Sequence, residues 1–185
     1  ALVHRVFLLP RRRLHLVEAG AHDDVHFLAA TQADGPHAEL LAMLVDANWG
    51  VLMEDLGNLP GNVCTPTYLA EQARQLGRDH DLEVTILDQE DIAKLGMNAF
   101  LAVAGGSRQP PKLIVMEYHG GDRDAPPVVL VGKGITFDTG GVNIKSSSDM
   151  EQMKFDMCGA ASVFGALRAA ALMKLRLNVV GIIPA

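Results

Sequence analysis

Cysteine is scarce in this chain of 185 residues, which holds only Cys64 and Cys158. Two such residues give no disulfide framework and no zinc-knuckle spacing. Both are expected to be buried thiols that behave as small hydrophobes, in a reducing compartment. No uninterrupted apolar stretch approaches the roughly 20 residues that span a bilayer, so no membrane partner is expected. The opening, "ALVHRVFLLPRRR", lacks the charged, then apolar, then small-residue order of a secretory signal. A cytoplasmic location is the expectation. Basic charge is short too: 16 Lys and Arg stand against 22 Asp and Glu, a net charge of −6. That argues against broad attraction to nucleic acid or to an anionic membrane. The one basic run, Arg11 to Arg13, reads as a solvated turn. Internal repeats and low-complexity tracts are missing as well. The chain opens on Ala1 rather than Met, so a processed chain or a fragment is expected.

What is present is ordinary for a globular protein: 49% of residues are apolar and 21% are charged. Residues 1–36 show little pattern beyond a candidate strand in "HRVFLLP". His15, His22, His26 and His37 fall at spacings unlike a metal-ligand pair on one helix face, and read as surface or loop residues. From His37 to Asp55, Leu40, Leu41, Leu44, Ala47, Val51 and Leu52 recur at helical steps, ended by Gly57, Pro60 and Gly61.

Next comes a helix capped by Thr65, with Pro66 at its first position and Gly77 closing it. The strand "LEVTIL" follows, then a short helix over Glu90 to Leu95. "PKLIVMEY" and "PPVVLVG" are two further strands. A helix from about Met157 to Lys174, rich in Gly and Ala on one side, precedes a last strand in "LNVVGIIPA". Strands alternating with helices in near-continuous apolar runs predict an α/β fold, a mostly parallel mixed sheet flanked by helices.

The segment "GKGITFDTGGVNIK", residues 132–145, follows the run Val128 to Val131. In open α/β sheets ligands bind outside the carboxyl ends of strands, which is where Lys133 falls. The segment is not a phosphate loop, because Pro127 and Gly134 break the required pattern. It is not a dinucleotide fingerprint either, because Phe137 stands where glycine is needed. Asp138 is followed by Thr139-Gly140-Gly141, which lets the backbone turn sharply. Lys145 comes seven residues after Asp138, and Asp156 lies in "MKFDMCGAA". Two carboxylates and two lysines thus gather around one strand end. Oxygen ligands of this kind suit Mg²⁺ or Mn²⁺, and Zn²⁺ also accepts carboxylates. A lysine joins such a set only as the neutral amine, a form favoured by a nearby cation and by desolvation. Plain structural ion pairs, Lys133 with Asp138 and Lys145 with Asp156, compete with this reading.

"VVLVGKGITFDTGGVNIK" with "DMEQMKFDMCGAASVFGA" closely resembles the metal-binding region of the leucyl aminopeptidase family, the M17 cytosol aminopeptidases. "NLPGNVCTPTYLAEQA" resembles the start of that family's catalytic domain, and "GMNAFLAVAGGS" a further stretch of it. The likeness runs from about Asn58 to Ala185 and rests on Lys, then Asp at plus five, Lys at plus twelve and Asp at plus twenty-three. It implies an end of an N-terminal domain over 1–36 and a connecting helix over 37–56. It implies the N-terminal portion of a metallopeptidase catalytic domain over 57–185.

The resemblance also implies a reaction: removal of N-terminal residues, preferably leucine and other apolar ones, from peptides. Two divalent ions, Mn²⁺ or Zn²⁺, would activate the attacking water. Lys133 and Asp156 would ligate one metal and Asp138 would bridge both. Lys145 would direct its ammonium at the oxyanion, and Met153 would lie beside the first side chain of the substrate. These five residues would together form the substrate-binding set.

The family's second ligand segment, reading like N-T-D-A-E-G-R, supplies a further Asp, a bridging Glu and an Arg that anchors bicarbonate. It does not occur between Ala1 and Ala185. The chain alone is therefore expected to be inactive. Asn98, where the family usually has Gly, and Ser146, where it often has Pro, are departures outside the ligand set. The family forms hexamers, and the helix face Phe164 to Leu167 is a candidate for buried contacts between subunits. Two other functions stay open: a catalytically incomplete binding or structural module, and a DNA-binding regulator, a second role of some members.

Overall fold

The computed structural model describes residues 55–148 and 150–185, together with the backbone of two short strands at 16–18 and 28–30. The candidate strand in "HRVFLLP", the four N-terminal histidines and most of the helix expected over 37–55 lie outside the described residues. Six strands form one sheet: β1 (Leu16–Glu18), β2 (Leu28–Ala30), β3 (Glu83–Leu87), β4 (Leu113–His119), β5 (Val128–Val131) and β6 (Asn178–Pro184). Their spatial order is β1-β2-β5-β6-β4-β3. The helices are α1 (Pro66–His80), α2 (Gln89–Lys94), α3 (Asn98–Ala104) and α4 (Cys158–Leu172), with a 3₁₀ helix at Met150–Met157 leading into α4.

The sheet is mixed and flanked by helices, as expected, but its directions correct the expectation of mostly parallel pairing. Among the described strands only β5 and β6 run parallel, and the other four neighbouring pairs are antiparallel. Alternating helices and strands suggested repeated crossovers. The short helices α2 and α3 instead lie in the connection that brings β4 back antiparallel to β3.

Helices α1 and α4 pack on the sheet through one core. Leu69, Ala73, Phe164 and Leu167 meet Ile114, Met116, Leu130 and Val179 there, all fully buried. Phe164, Ala166 and Leu167 are at most 1% exposed. This corrects the idea that their face serves contacts between subunits, because the sheet already covers it. The run Met150–Leu172 is long and apolar enough for a membrane span by length and composition, yet 67% of its most apolar 18-residue window is buried within the fold. It is a core element, which explains its apolarity without a bilayer.

Thr65 caps α1 as expected, its side chain accepting the Tyr68 N–H at 3.2 Å. Gly77 does not close that helix, which continues to His80 and ends at Asp81 in the left-handed conformation. Glycine is needed at 77 for a different reason. A Cβ there would lie 2.6 Å from Val84 Cγ2, so β3 could not return so closely over the helix.

Candidate metal centre

The parallel pair β5–β6 brings two strand ends side by side, and α4 connects them. Beyond β5 the chain stays extended. The Gly132 N–H donates to Ile182 O and the Gly134 N–H to Pro184 O, each at 3.0 Å. Lys133 lies between these two anchors. Its Nζ reaches Asp156 Oδ1 at 2.6 Å and Asp138 Oδ2 at 3.4 Å. Asp156 is supplied by the 3₁₀ helix, two residues before α4 begins.

Residues 138–145 fold back on themselves. Asp138 Oδ1 accepts the Gly140 N–H at 2.9 Å, and the Lys145 N–H donates to Thr139 O at 3.0 Å. Gly140 and Gly141 take φ of 88° and 69°, a region that disfavours side chains. This turn returns Lys145 to the site. Its Nζ lies 3.5 Å from Asp156 Oδ2, 3.7 Å from Asp138 Oδ2 and 2.7 Å from Met153 Sδ. Lys133, Asp138, Lys145, Met153 and Asp156 therefore come together in one cluster. The pairs Lys133 with Asp138 and Lys145 with Asp156 both form, at 3.4 and 3.5 Å, and two cross pairs join them. Each lysine faces both carboxylates.

Electrostatics tie the cluster together. Burial works against the Lys133 ammonium, but the Asp156 carboxylate and then Asp138 outweigh it and hold its pKa above the usual lysine value. For Asp138, the Gly140 N–H is the largest influence. With Lys133 and Lys145 it overcomes desolvation and holds the carboxyl below the ordinary carboxylate value. Asp156 Oδ2 is buried and accepts no hydrogen bond. The Lys145 ammonium stands 3.5 Å from it, an ion pair without a hydrogen bond, which leaves this buried oxygen lone pairs suited to a cation.

The donor set fits part of a divalent metal site: two carboxylates, with the Lys133 amine once it has lost its proton. Among the described residues no group of three or more His, Cys, Asp and Glu converges, so these donors do not complete a coordination sphere. A cavity of about 250 Å³ lined by Gln89, Leu101, Arg108 and Pro111 lies elsewhere and contains none of the five residues. The Gly140 amide that holds Asp138 was not anticipated. The D-x-G spacing carried its signal, since Asp side chains bond their own backbone two residues on.

Residues 51–185 match the catalytic-domain model of the cytosol aminopeptidase family. The chain belongs to that family. It is 53% identical over 178 residues to a probable cytosol aminopeptidase of Alkalilimnicola ehrlichii, a match that covers 95% of this chain and 34% of that protein. A probable cytosol aminopeptidase of Nitrosospira multiformis is 62% identical over 134 residues, covering 72% of this chain and 26% of the relative. The chain thus spans between a quarter and about a third of the length of these curated cytosol aminopeptidases. Among solved structures, the cytosol aminopeptidase of Coxiella burnetii superposes with a TM-score of 0.68 at 36% identity, covering 72% of this chain and 29% of that one. The bottromycin maturation enzyme BotP in complex with Mn also gives 0.68, at 34% identity, covering 82% of this chain and 33% of its own.

Proposed function

We propose that this chain carries the first half of the dinuclear metal centre of an aminopeptidase that removes N-terminal residues, preferably leucine and other apolar ones, from peptides. One observation carries the reading. Two carboxylates and two lysine ammonium groups converge at the carboxyl ends of the parallel strands, with one buried carboxylate oxygen that accepts no hydrogen bond. Membership of the cytosol aminopeptidase family supports it, as does the manganese named for the BotP relative.

In this reading Lys133, through its neutral amine, and Asp156 would hold one ion, and Asp138 would serve both. Two bound divalent ions, Mn²⁺ or Zn²⁺, would supply activation of the attacking water and polarisation of the peptide carbonyl. Lys145 would present its ammonium where negative charge grows on the carbonyl oxygen. Met153 borders the first side chain of the substrate. The remaining ligands and a bicarbonate anchor are assigned to sequence beyond this chain. A cytoplasmic location rests on the names of the relatives.

The test uses protein expressed at the full length of its gene. Calorimetry with Mn²⁺ and hydrolysis of leucine amide are measured for the wild type and for Asp138→Ala. The expected result is loss of metal and activity together in the variant. Unchanged metal content in Asp138→Ala would overturn the assignment. The same reading expects a homohexamer, and sedimentation of the full-length protein as a folded monomer would refute that part.

A further inference from the structure

Lys133 and Asp156 come from different elements, yet their side chains meet at 2.6 Å. Something must set the separation of the backbones that carry them. Lys133 continues β5, while Asp156 lies in the last turn of the 3₁₀ helix that becomes α4. The two elements touch through glycine. A Cβ on Gly132 would overlap the carbonyl oxygen of Gly159 and lie 2.6 Å from its carbonyl carbon and 2.8 Å from Val163 Cγ2. A Cβ on Gly159 would lie 2.8 Å from Lys133 N and 3.3 Å from Lys133 O. Real side chains essentially never approach so closely. The contact is fastened by one hydrogen bond, from the Ala160 N–H to Lys133 O at 2.8 Å. On the other side, β6 holds the same segment through Gly132 and Gly134.

We propose that Gly159 and Gly132 form a backbone-to-backbone interlock that positions the Lys133 amine against the Asp156 carboxylate, and so sets metal affinity without touching metal or substrate. This rests on the reading of Lys133 and Asp156 as ligands of one ion. A methyl group at 159 must push the first turn of α4 away from the Lys133 backbone, carrying Asp156 with it. The Lys133 backbone does not follow, because Gly132 and Gly134 hold it to β6. Groups that orient metal ligands from outside the coordination sphere change affinity by about 10–100-fold when altered.

A matched control exists in the same seam. Gly181 on β6 also packs against α4, and a Cβ there would lie 2.6 Å from both Leu167 Cδ1 and Val163 Cγ1. Gly181→Ala therefore crowds side chains between the same helix and sheet, away from Lys133. The test measures the Mn²⁺ dissociation constant by calorimetry and the metal-free melting temperature. It compares full-length wild type, Gly159→Ala, Gly181→Ala and Lys133→Ala.

The expected result is a 10–100-fold loss of Mn²⁺ affinity in Gly159→Ala. Gly181→Ala should lose stability but keep its affinity within a few-fold. If Gly159→Ala fails to fold, Ala160→Pro replaces it. That change removes the single donor to Lys133 O, at the third residue of α4. Wild-type affinity in the folded variant, or an equal affinity loss in Gly181→Ala, would overturn the interlock. Wild-type affinity in Lys133→Ala would instead overturn the ligand assignment beneath it.

Discussion

Lys145 and Lys133 share two carboxylate neighbours but differ in what else they touch. Lys133 donates to Asp156 at 2.6 Å, in an arrangement where an ion can replace the proton. Lys145 stands farther from both carboxylates, at 3.5 and 3.7 Å, and donates to the Met153 sulfur, a weak acceptor. An ammonium held this way keeps donor capacity for a developing oxyanion. Lys145→Ala in the full-length protein should therefore retain its metal content and lose turnover by roughly 10²–10³-fold, the usual effect of removing one oxyanion donor. Metal analysis beside leucine amide kinetics checks this, and loss of metal would move Lys145 into the ligand set. The residues of this cluster were legible in advance because the plus five, plus twelve and plus twenty-three spacing is specific. Their cross-pairing was not, since spacing along the chain says nothing of which lysine faces which carboxylate after the turn at Gly140 and Gly141.

Element boundaries followed local chemistry where that chemistry is unambiguous. The Thr65-Pro66 start of α1 and the extent of α4 are of this kind. Helix ends were harder to read, because a helix can stop in the left-handed conformation without glycine. At the end of α4, Lys174 has φ of 52°. The Leu175 N–H donates to Ala170 O and the Lys174 N–H to Ala171 O, each at 3.1 Å, which is the double hydrogen bond of a Schellman cap. An L side chain costs roughly 1–2 kcal/mol in that conformation. Lys174→Gly should therefore stabilise the protein by about 1 kcal/mol, after the extra freedom glycine gives the unfolded chain is subtracted. Urea unfolding of the two proteins would read this, and a destabilised variant would show that the lysine side chain contributes more than its backbone costs. Helix α3 was read only as a family stretch. Six of its seven residues are apolar, so no polar side alternates with an apolar one to mark it as a helix from the sequence.

At the scale of the whole molecule, the sheet was legible as mixed and helix-flanked, but strand direction was not. Antiparallel pairing of β4 with both β3 and β6 depends on contacts between strands distant in the chain. That pairing has a consequence for stability. Glu117 on β4 stands directly opposite Glu83 on β3 and is only 4% exposed. Its partner across β6 is the uncharged Val180. His119 Nε2 is the nearest cationic candidate, at 3.9 Å. Desolvation and then the Glu83 charge raise the Glu117 pKa above its ordinary 4.5, and His119 only partly opposes them. A carboxyl whose folded pKa lies above its unfolded value makes no difference to stability while both states hold the proton. As pH rises past the unfolded value, the unfolded chain releases its proton first, and folding is increasingly penalised until the folded pKa is passed. Glu117→Gln removes that penalty. Relative to wild type, the variant should gain stability as pH rises above about 4.5, the difference levelling off once the folded pKa is passed. Urea titrations at several pH values between about 3 and 8 would follow the difference. If it is independent of pH, Glu117 ionises in the fold as readily as in the unfolded chain, and its burial on β4 carries no penalty.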